Sequence, residues 1–387
     1  MMVAPKLRFK ADDGCDFPDW EDKTLGELFH ISAGGDIDKN NCAAKQSEDY
    51  PYPVYANALV NNGTYGYANY YKIDGDTFTV TGRGDVGHAV ARHCMYVPIV
   101  RLLVCQPNMD DDVDFFAEQI NHTRVFIEST GVPQLTAPQL SKIKVRRPTL
   151  PEQRKIADLL SAVDAVIAAQ QAEVDAWEQR KKGVMQKLFS QEVRFRADDG
   201  SEFPVWEEKT LGEVCFINPR TDALEDEFYY MDLGCVDRGV WEKPEVVSKK
   251  NAPNRAQRVA QIGDVFFQSV RPYNMGHYHY TNKMDKQVVA STGYIQARMK
   301  NGCNAFLYQM FYEERFNVEV SMRCTGSNYP AITANKFSEI VAPFPSLPEQ
   351  RKIADCLASM DEVIQKSKDE LAKWQELKKG LLQQMFM

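Results

Sequence analysis

Residues 150–190 read LPEQRKIADLLSAVDAVIAAQQAEVDAWEQRKKGVMQKLFS, and residues 347–387 read LPEQRKIADCLASMDEVIQKSKDELAKWQELKKGLLQQMFM. The two stretches are identical at 20 of 41 positions, at a constant offset of 197. Each opens with a proline (Pro151, Pro348) where a first helical turn tolerates one, and with a glutamate (Glu152, Glu349) beside the positive end of a helix. Apolar residues then recur at helical spacing: Ile156, Leu160, Val163, Ile167 and Trp177 in the first copy, Ile353, Leu357, Met360, Ile364 and Trp374 in the second. That spacing marks a seam for a partner helix. A helix from Glu152 to Phe189 would run about 57 Å at ~1.5 Å per residue. It cannot bury its own stripe, so the expected partner is the other copy, lying antiparallel. Gly183 and Gly380 each cost about 1 kcal/mol inside a helix. They are expected either to admit a close neighbour or to mark where the helix loosens.

A second repeat lies upstream. Residues 7–28, LRFKADDGCDFPDWEDKTLGEL, match 193–214, VRFRADDGSEFPVWEEKTLGEV, at 15 of 22 positions with an offset of 186. The chain is therefore two copies of one unit, each an opening block, a middle and a helical exit. The middles, 29–127 and 215–324, do not align, and similarity resumes only at Val132-Pro133-Gln134-Leu135-Thr136 against Tyr329-Pro330-Ala331-Ile332-Thr333. Divergence confined to the middle points to a shared scaffold with two specificities. The expected organisation is α+β, with a pseudo-twofold internal repeat. Two mixed α/β domains (1–149 and 194–346) are separated by two long antiparallel helices (150–193 and 347–387).

Within the middles, Thr77–Thr81, Met95–Val104, Asp264–Val270 and Gln287–Met299 are strand-like by β-branched and aromatic content. Asp114–Phe126 and Ala305–Val320 have the pattern of amphipathic helices. Clusters of Pro, Gly, Asn and Tyr at 50–71 and 271–281 supply turns.

Composition narrows the function classes. The net charge is −8, and by region it is −5 for 1–149, −1 for 150–193, −2 for 194–346 and zero for 347–387. No region is basic, so any phosphate contact must come from a local patch or from a partner. The nine cysteines are scattered without a Cys-x-x-Cys pair, which argues against a disulfide framework and a zinc site. The opening residues lack the apolar core of a secretory signal, and no apolar run approaches a bilayer span; the longest, around 97–104, contains Pro98 and Arg101. A cytoplasmic chain is the expectation.

Several stretches suggest chemistry and are set aside. Gly82-Arg83-Gly84-Asp85-Val86-Gly87 is formally G-x-G-x-x-G, but a dinucleotide site needs a following helix and an acid about 20 residues on. A glycine loop approaching a nucleic-acid backbone fits it better. His277-Tyr278-His279 and His93-Cys94 lack further ligands at useful spacing and are expected as exposed loop residues. Asn218-Pro219 lacks the rest of an amino-methyltransferase loop, and Asp110-Asp111-Asp112-Val113-Asp114 is expected as a solvated helix start. No catalytic centre, metal or cofactor is expected.

The paired LPEQRKIA blocks opening long helices, with the paired RF-x-ADDG-x-x-FP-x-W-x-x-KTLGE blocks before them, resemble the specificity subunit of type I restriction–modification systems. Within the middles, Tyr52-Pro53-Val54-Tyr55, Gly82-Arg83-Gly84-Asp85 and the segment 263–272 look like common parts of such target-recognition domains. The resemblance covers essentially the whole chain. It implies that each middle reads one half of a split, asymmetric double-stranded DNA site, while the helices fix the gap and dock two methyltransferase subunits. Translocase–nuclease subunits would join for cleavage. The competing reading is a helical scaffold whose end domains bind proteins, which the acidic charge favours.

For DNA contact, arginine suits guanine, asparagine and glutamine suit adenine, and lysine mostly meets phosphate. The candidates in the first domain are Asn57, Asn61, Asn62, Tyr65, Arg83, His88 and Gln134. In the second, Lys249, Lys250, Arg255 and Arg258 form a candidate basic patch, joined by Arg271, Tyr273, Asn274, Thr292, Ser327 and Asn328.

Overall fold

The structure, a computed structural model, describes residues 5–123, 134–220 and 222–386. The chain divides into two compact units, Met1–Gln171 with Asp369–Met387, and Ala172–Lys368. The long repeats are single helices, Leu150–Phe189 and Leu347–Phe386.

The first unit is built on a four-stranded antiparallel sheet in the order Phe29–Ala33, Leu103–Pro107, Thr77–Val80, Ala89–Arg92. Helix Val113–His122 covers it, burying Phe115, Phe116 and Ile120 against Phe29 and Phe78. Asp112 caps that helix by accepting the Phe115 N–H. A second sheet orders Cys42–Ala43, Thr64–Ala68, Tyr52–Tyr55 and Val97–Pro98, the last pair being parallel. The second unit repeats this plan without alignable sequence. Its first sheet orders Cys215–Ile217, Tyr294–Met299, Val265–Gln268 and Tyr278–His279. Its second orders Val246–Ser248, Glu227–Met231, Gln287–Ser291 and Ala256–Val259, again with one parallel pair.

The repeated blocks form the frame. In the first unit, Glu21–Thr24 pairs with Lys144–Arg147 and leads into a short helix whose capping box joins Thr24 and Glu27. In the second, Glu207–Thr210 pairs with Val341–Phe344, and Thr210 and Glu213 form the same box. Each opening block is clamped to a helix start. Glu152, fully buried, accepts two bonds from the Arg8 guanidinium (3.0 and 2.8 Å) and one from Trp20 Nε1 (3.1 Å). Glu349 does the same with Arg194 (3.0 and 2.8 Å) and Trp206 (3.1 Å). The ADDG aspartates pair with the next lysine of the helix, Asp12 with Lys155 and Asp198 with Lys352. The intervening glutamine faces the domain: Gln153 Oε1 accepts the Asp112 N–H and Gln350 Oε1 the Cys303 N–H.

Each unit's core is completed by both helices. The first takes Ile156, Ala157 and Leu160 with Met385; the second takes Ile353, Ala354 and Leu357 with Met185, Leu188 and Phe189. Ion pairs show that the segments run antiparallel within each unit. Lys378 meets Asp164 (2.7 Å) and Glu118 (3.3 Å) in the first. In the second, Lys181 meets Asp361 (2.6 Å), which also accepts a bond from Gln309 (2.8 Å). The end of each helix holds an opening block by the same bond: Gln384 O accepts from the Leu7 N–H as Lys187 O accepts from the Val193 N–H. Along the seam, Val163 and Ile364 are buried, whereas Ile167, Met360, Trp177 and Trp374 are half-buried.

Several sequence expectations need correction. Met95–Val104 is broken by a turn in which Val100 and Arg101 adopt φ of 53° and 60°, because the chain there passes from one sheet to the other. Gln287–Met299 breaks at Thr292-Gly293 for the same reason. The helix expected over Ala305–Val320 is two, Asn304–Met310 and Glu314–Arg323, divided where Glu313 caps the second by accepting the Phe316 N–H. The helix expected over Asp114–Phe126 is Val113–His122; residues 124–126 lie outside the described residues, as do Val132 and Pro133. Asp111 is not a solvated helix start: it is buried on Arg147 (2.8 Å) and Gln153 (2.8 Å). Gly183 and Gly380 admit no close neighbour, since an added Cβ would meet nothing within 4 Å.

The clamp makes a prediction about stability. Glu152→Gln or Glu349→Gln takes the counter-ion from a guanidinium that is 24% or 27% exposed and is expected to cost about 2 kcal/mol, below the range for a wholly buried pair. Lys155→Ala removes an exposed pair and is expected to cost less than about 1 kcal/mol. Urea unfolding of the three variants measures the difference, and equal losses would contradict the clamp.

Candidate nucleic-acid interface

In both units three segments converge at one end of the central sheet. A loop leaves Thr77–Val80 or Val265–Gln268, and a turn feeds Leu103–Pro107 or Tyr294–Met299. The segment before the closing frame crosses beside them: Gly82 O accepts the Leu135 N–H (2.9 Å), and Ser269 O accepts the Ile332 N–H (3.0 Å). The flanking bridges are Arg83 with Gln134, and Val270 with Ala331.

In the first unit Asn57 staples this end. Its Nδ2 donates to Val100 O (2.6 Å) and its Oδ1 accepts the Gly82 N–H (2.7 Å). Asn57 is therefore committed to holding the loops. Close approach of backbone is built in, because a Cβ on Gly34 would sit 2.7 Å from the Pro98 carbonyl. Arg101 projects from the turn and is exposed. Beneath a neighbouring loop, Arg92 is buried with its guanidinium 3.6 Å from the Tyr55 ring centre, donating to Thr79 Oγ1 (3.1 Å) and Asn62 O (2.6 Å). Burial pushes its pKa down. Arg92 thereby sets the left-handed pair Asn61 and Asn62, both exposed, with Tyr65 exposed nearby.

The glycine segment joins two antiparallel strands, Thr77–Val80 and Ala89–Arg92, and no helix follows it, so it lacks the geometry of a dinucleotide site. Arg83 is exposed; Gln134 and His88 are half-buried, and burial, then Arg92, lowers the His88 pKa. An open cleft of about 1430 Å³ runs beside this loop, lined by Asn62, His88, Glu118, Asp164 and Lys378 among others. Lys378 is shared there between Asp164 and Glu118, which leaves one negative charge over.

In the second unit the Arg271 guanidinium lies 4.2 Å from the Tyr329 ring centre, and its backbone N–H donates to Pro330 O (2.8 Å). Tyr273, Asn274, Ser327, Asn328 and Tyr329 are exposed around it. The neighbouring turn adjoins through Ser269, whose N–H and Oγ donate to Gly293 O (2.9 and 2.7 Å). Thr292 donates its N–H to Arg255 O (2.8 Å). The structure thus gathers Arg255, Arg271, Tyr273, Asn274, Thr292, Ser327 and Asn328 at one end. It divides the basic patch, however: Lys249 sits beside the start of Glu227–Met231, donating to Leu224 O (3.0 Å), while Arg255 is at the opposite end of that sheet. Lys250 lies with Lys249, and Arg258 is half-buried mid-strand, its pKa pushed down by burial.

His277 is not an exposed loop residue but fully buried, stacked 4.3 Å from Phe267, with Nδ1 accepting the Gln268 N–H (3.1 Å). Half-buried His279 ends the short strand Tyr278–His279 that follows, whereas His93 is exposed and paired with Asp76 and Asp114. Gln268 Oε1 in turn accepts the Gly276 N–H (2.9 Å), so this pair ties the loop 270–277 to its strand. Among the described residues, no group of three or more His, Cys, Asp or Glu could hold a metal, and no helix is long and apolar enough to cross a membrane.

Sequence reasoning missed Arg92, Arg101 and Tyr329. The one available signal was Arg101 itself, a charge inside an otherwise apolar, strand-like run.

Comparison with known proteins places this architecture. The family model described as the type I restriction modification DNA specificity domain matches twice, at residues 18–176 and 205–373. The chain belongs to that family, as a type I specificity subunit with two target-recognition domains. A relative is the type I restriction enzyme MjaVIII specificity subunit of Methanocaldococcus jannaschii, 26% identical over 71% of this chain and 69% of that protein. A putative type I specificity subunit of Mycoplasma pneumoniae is 27% identical over 32% of this chain and 34% of its own length. The crystal structure of a type I restriction–modification S subunit from M. genitalium matches with a TM-score of 0.66 at 16% identity, over 100% of this chain and 99% of that one, a likeness of fold.

The buried imidazole gives a pH prediction. Burial depresses His277 to about 3, against about 6.5 in an unfolded chain. Between those values the unfolded protein binds a proton that the native state excludes, so stability present above pH ~6.5 falls on acidification, by at most about 1.4 kcal/mol per pH unit. His277→Gln, which keeps an acceptor, is expected to flatten that slope in unfolding curves between pH 6.5 and 4. An unchanged slope would contradict the burial of a neutral His277.

Proposed function

We propose that each domain reads one half of a bipartite, asymmetric site in double-stranded DNA, while the long helices set the spacer between the halves and dock two methyltransferase subunits. The parts take the boundaries 1–149, 150–193, 194–346 and 347–387. The observation that carries this reading is the contrast within each unit: a duplicated, clamped frame supports loops that differ in sequence and in which polar residues they expose. A shared frame with unlike loops is what two different sequences require of one protein.

The contact residues are the exposed polar side chains at the convergent end of each sheet. Arg83, Asn61, Asn62 and Tyr65 serve the first domain, with His88 and Gln134 beside them and Asn57 holding the loops. Arg255, Tyr273, Asn274, Ser327 and Asn328 serve the second, with half-buried Arg271 and Thr292 beside them, and Lys249, Lys250 and Arg258 are its basic residues at a distance. The net charge of −8 leaves much of the phosphate clamp to the methyltransferase partners, because affinity for DNA rests on clustered cations. The chain is a cytoplasmic, non-catalytic subunit needing no cofactor. Adenine methylation belongs to the assembled complex, and ATP-driven cleavage to its translocase–nuclease subunits. The seam residues Ile156, Leu160, Val163, Ile167 and Trp177, with Ile353, Leu357, Met360, Ile364 and Trp374, hold the helices to the cores and to each other.

Exchange of residues 29–127 for the middle of another such subunit tests the reading. In a gel-shift assay with the methyltransferase, the hybrid is expected to assemble and to prefer a site altered in one half only. An unchanged DNA preference would refute it.

A further inference from the structure

Each domain holds an arginine in left-handed backbone at the convergent end of its sheet, but on a different turn. In the first, Arg101 has φ 60° on the turn feeding Leu103–Pro107, and Gly84 has φ 71° on the loop leaving Thr77–Val80. In the second, Arg271 has φ 50° on the loop leaving Val265–Gln268, and Gly293, outside the left-handed region, occupies the feeding turn. Hydrogen bonds and register fix the equivalence. Val80 faces Leu103 as Phe267 faces Ile295, and Gly82 O accepts from Leu135 as Ser269 O accepts from Ile332. Arg271 therefore stands where the first domain has Gly84, and Arg101 where the second has Gly293.

An L-residue is strained in this region, and such strain persists where the surroundings over-determine it, often at functional points. Arg238, with φ 42°, differs, because it lies in the two-residue turn between Val236–Asp237 and Val240–Trp241, where positive φ belongs to the connection. Arg101 is exposed and has no side-chain partner among the described residues. Arg271 stacks on Tyr329 and has one long bond, from Nη2 to Asn328 O (3.5 Å). A stacked guanidinium is pre-organised, and with Nε buried it is the Nη1–Nη2 edge of Arg271 that can meet two acceptors. In DNA the base edge that matches is O6 and N7 of guanine in the major groove. A phosphate clamp would be expected on the shared frame; these arginines lie on the turns where the domains differ.

We propose that Arg101 and Arg271 are the guanine-reading residues of the first and second domains, an assignment that rests on the domains reading DNA. Methylated-site sequencing in cells carrying the complete system, with Arg101→Gly or Arg271→Gly, tests it; glycine is at ease at these φ values, so the loops keep their shape. Each variant is expected to lose discrimination at one G·C pair, on the order of ten- to a hundred-fold, in its own half of the site and not in the other. An unaltered motif overturns the proposal. So does methylation lowered equally at every site with the motif intact, which is phosphate behaviour, and so does a wild-type half-site without any G·C pair. In all three results the chain still directs selective methylation and the reading under Proposed function stands. A wild-type system with no sequence preference removes both.

Discussion

A buried glutamate at the start of each long helix, held by an arginine and a tryptophan from the opening block, is the interaction on which the rest of the structure depends. Glu152 and Glu349 are fully enclosed, and a carboxylate in that position is tolerable only if its charge and lone pairs are met. Arg8 and Trp20, or Arg194 and Trp206, meet them. The requirement fixes where each opening strand lies, and that strand pairs with the one leading into the helix. With these anchors set, the sheet between them is free to change its loops.

The polar bonds at the variable end show how that freedom is used. In the first domain Asn57 and Arg92 spend their side chains on neighbouring backbone carbonyls and amides, fixing loops whose own side chains face outward. In the second, Gln268 and His277 do comparable work with different groups. Loop shape is thus specified from below by buried polar residues, which leaves the exposed ones available for contact. Such a separation lets two domains share a plan and differ in what they recognise.

Much of this was legible in the sequence, for identifiable reasons. The helices declared themselves through period and repetition, and the LPEQRK residues were conspicuous because both copies kept them. What each did was hidden, since the partners of Glu152 lie 132 and 144 positions away. The strand-like runs Met95–Val104 and Gln287–Met299 looked continuous because β-content says nothing about a change of sheet. His277 read as a loop residue from its polar, aromatic neighbours, yet stacking on Phe267 placed it in the interior. Arg271 stood out by residue type and Arg101 only as a charge in an apolar run; the left-handed backbone that the two share is a property that a single sequence does not display at non-glycine positions.

On the proposed function, one clamped frame, used twice, presents two unlike reading surfaces to one DNA molecule. Methylome sequencing of cells carrying the intact wild-type system tests this most directly. The expected motif is two short specified blocks, different from each other, separated by a gap of fixed length without base preference. A single continuous motif, or two blocks that are inverted copies of each other, would contradict it.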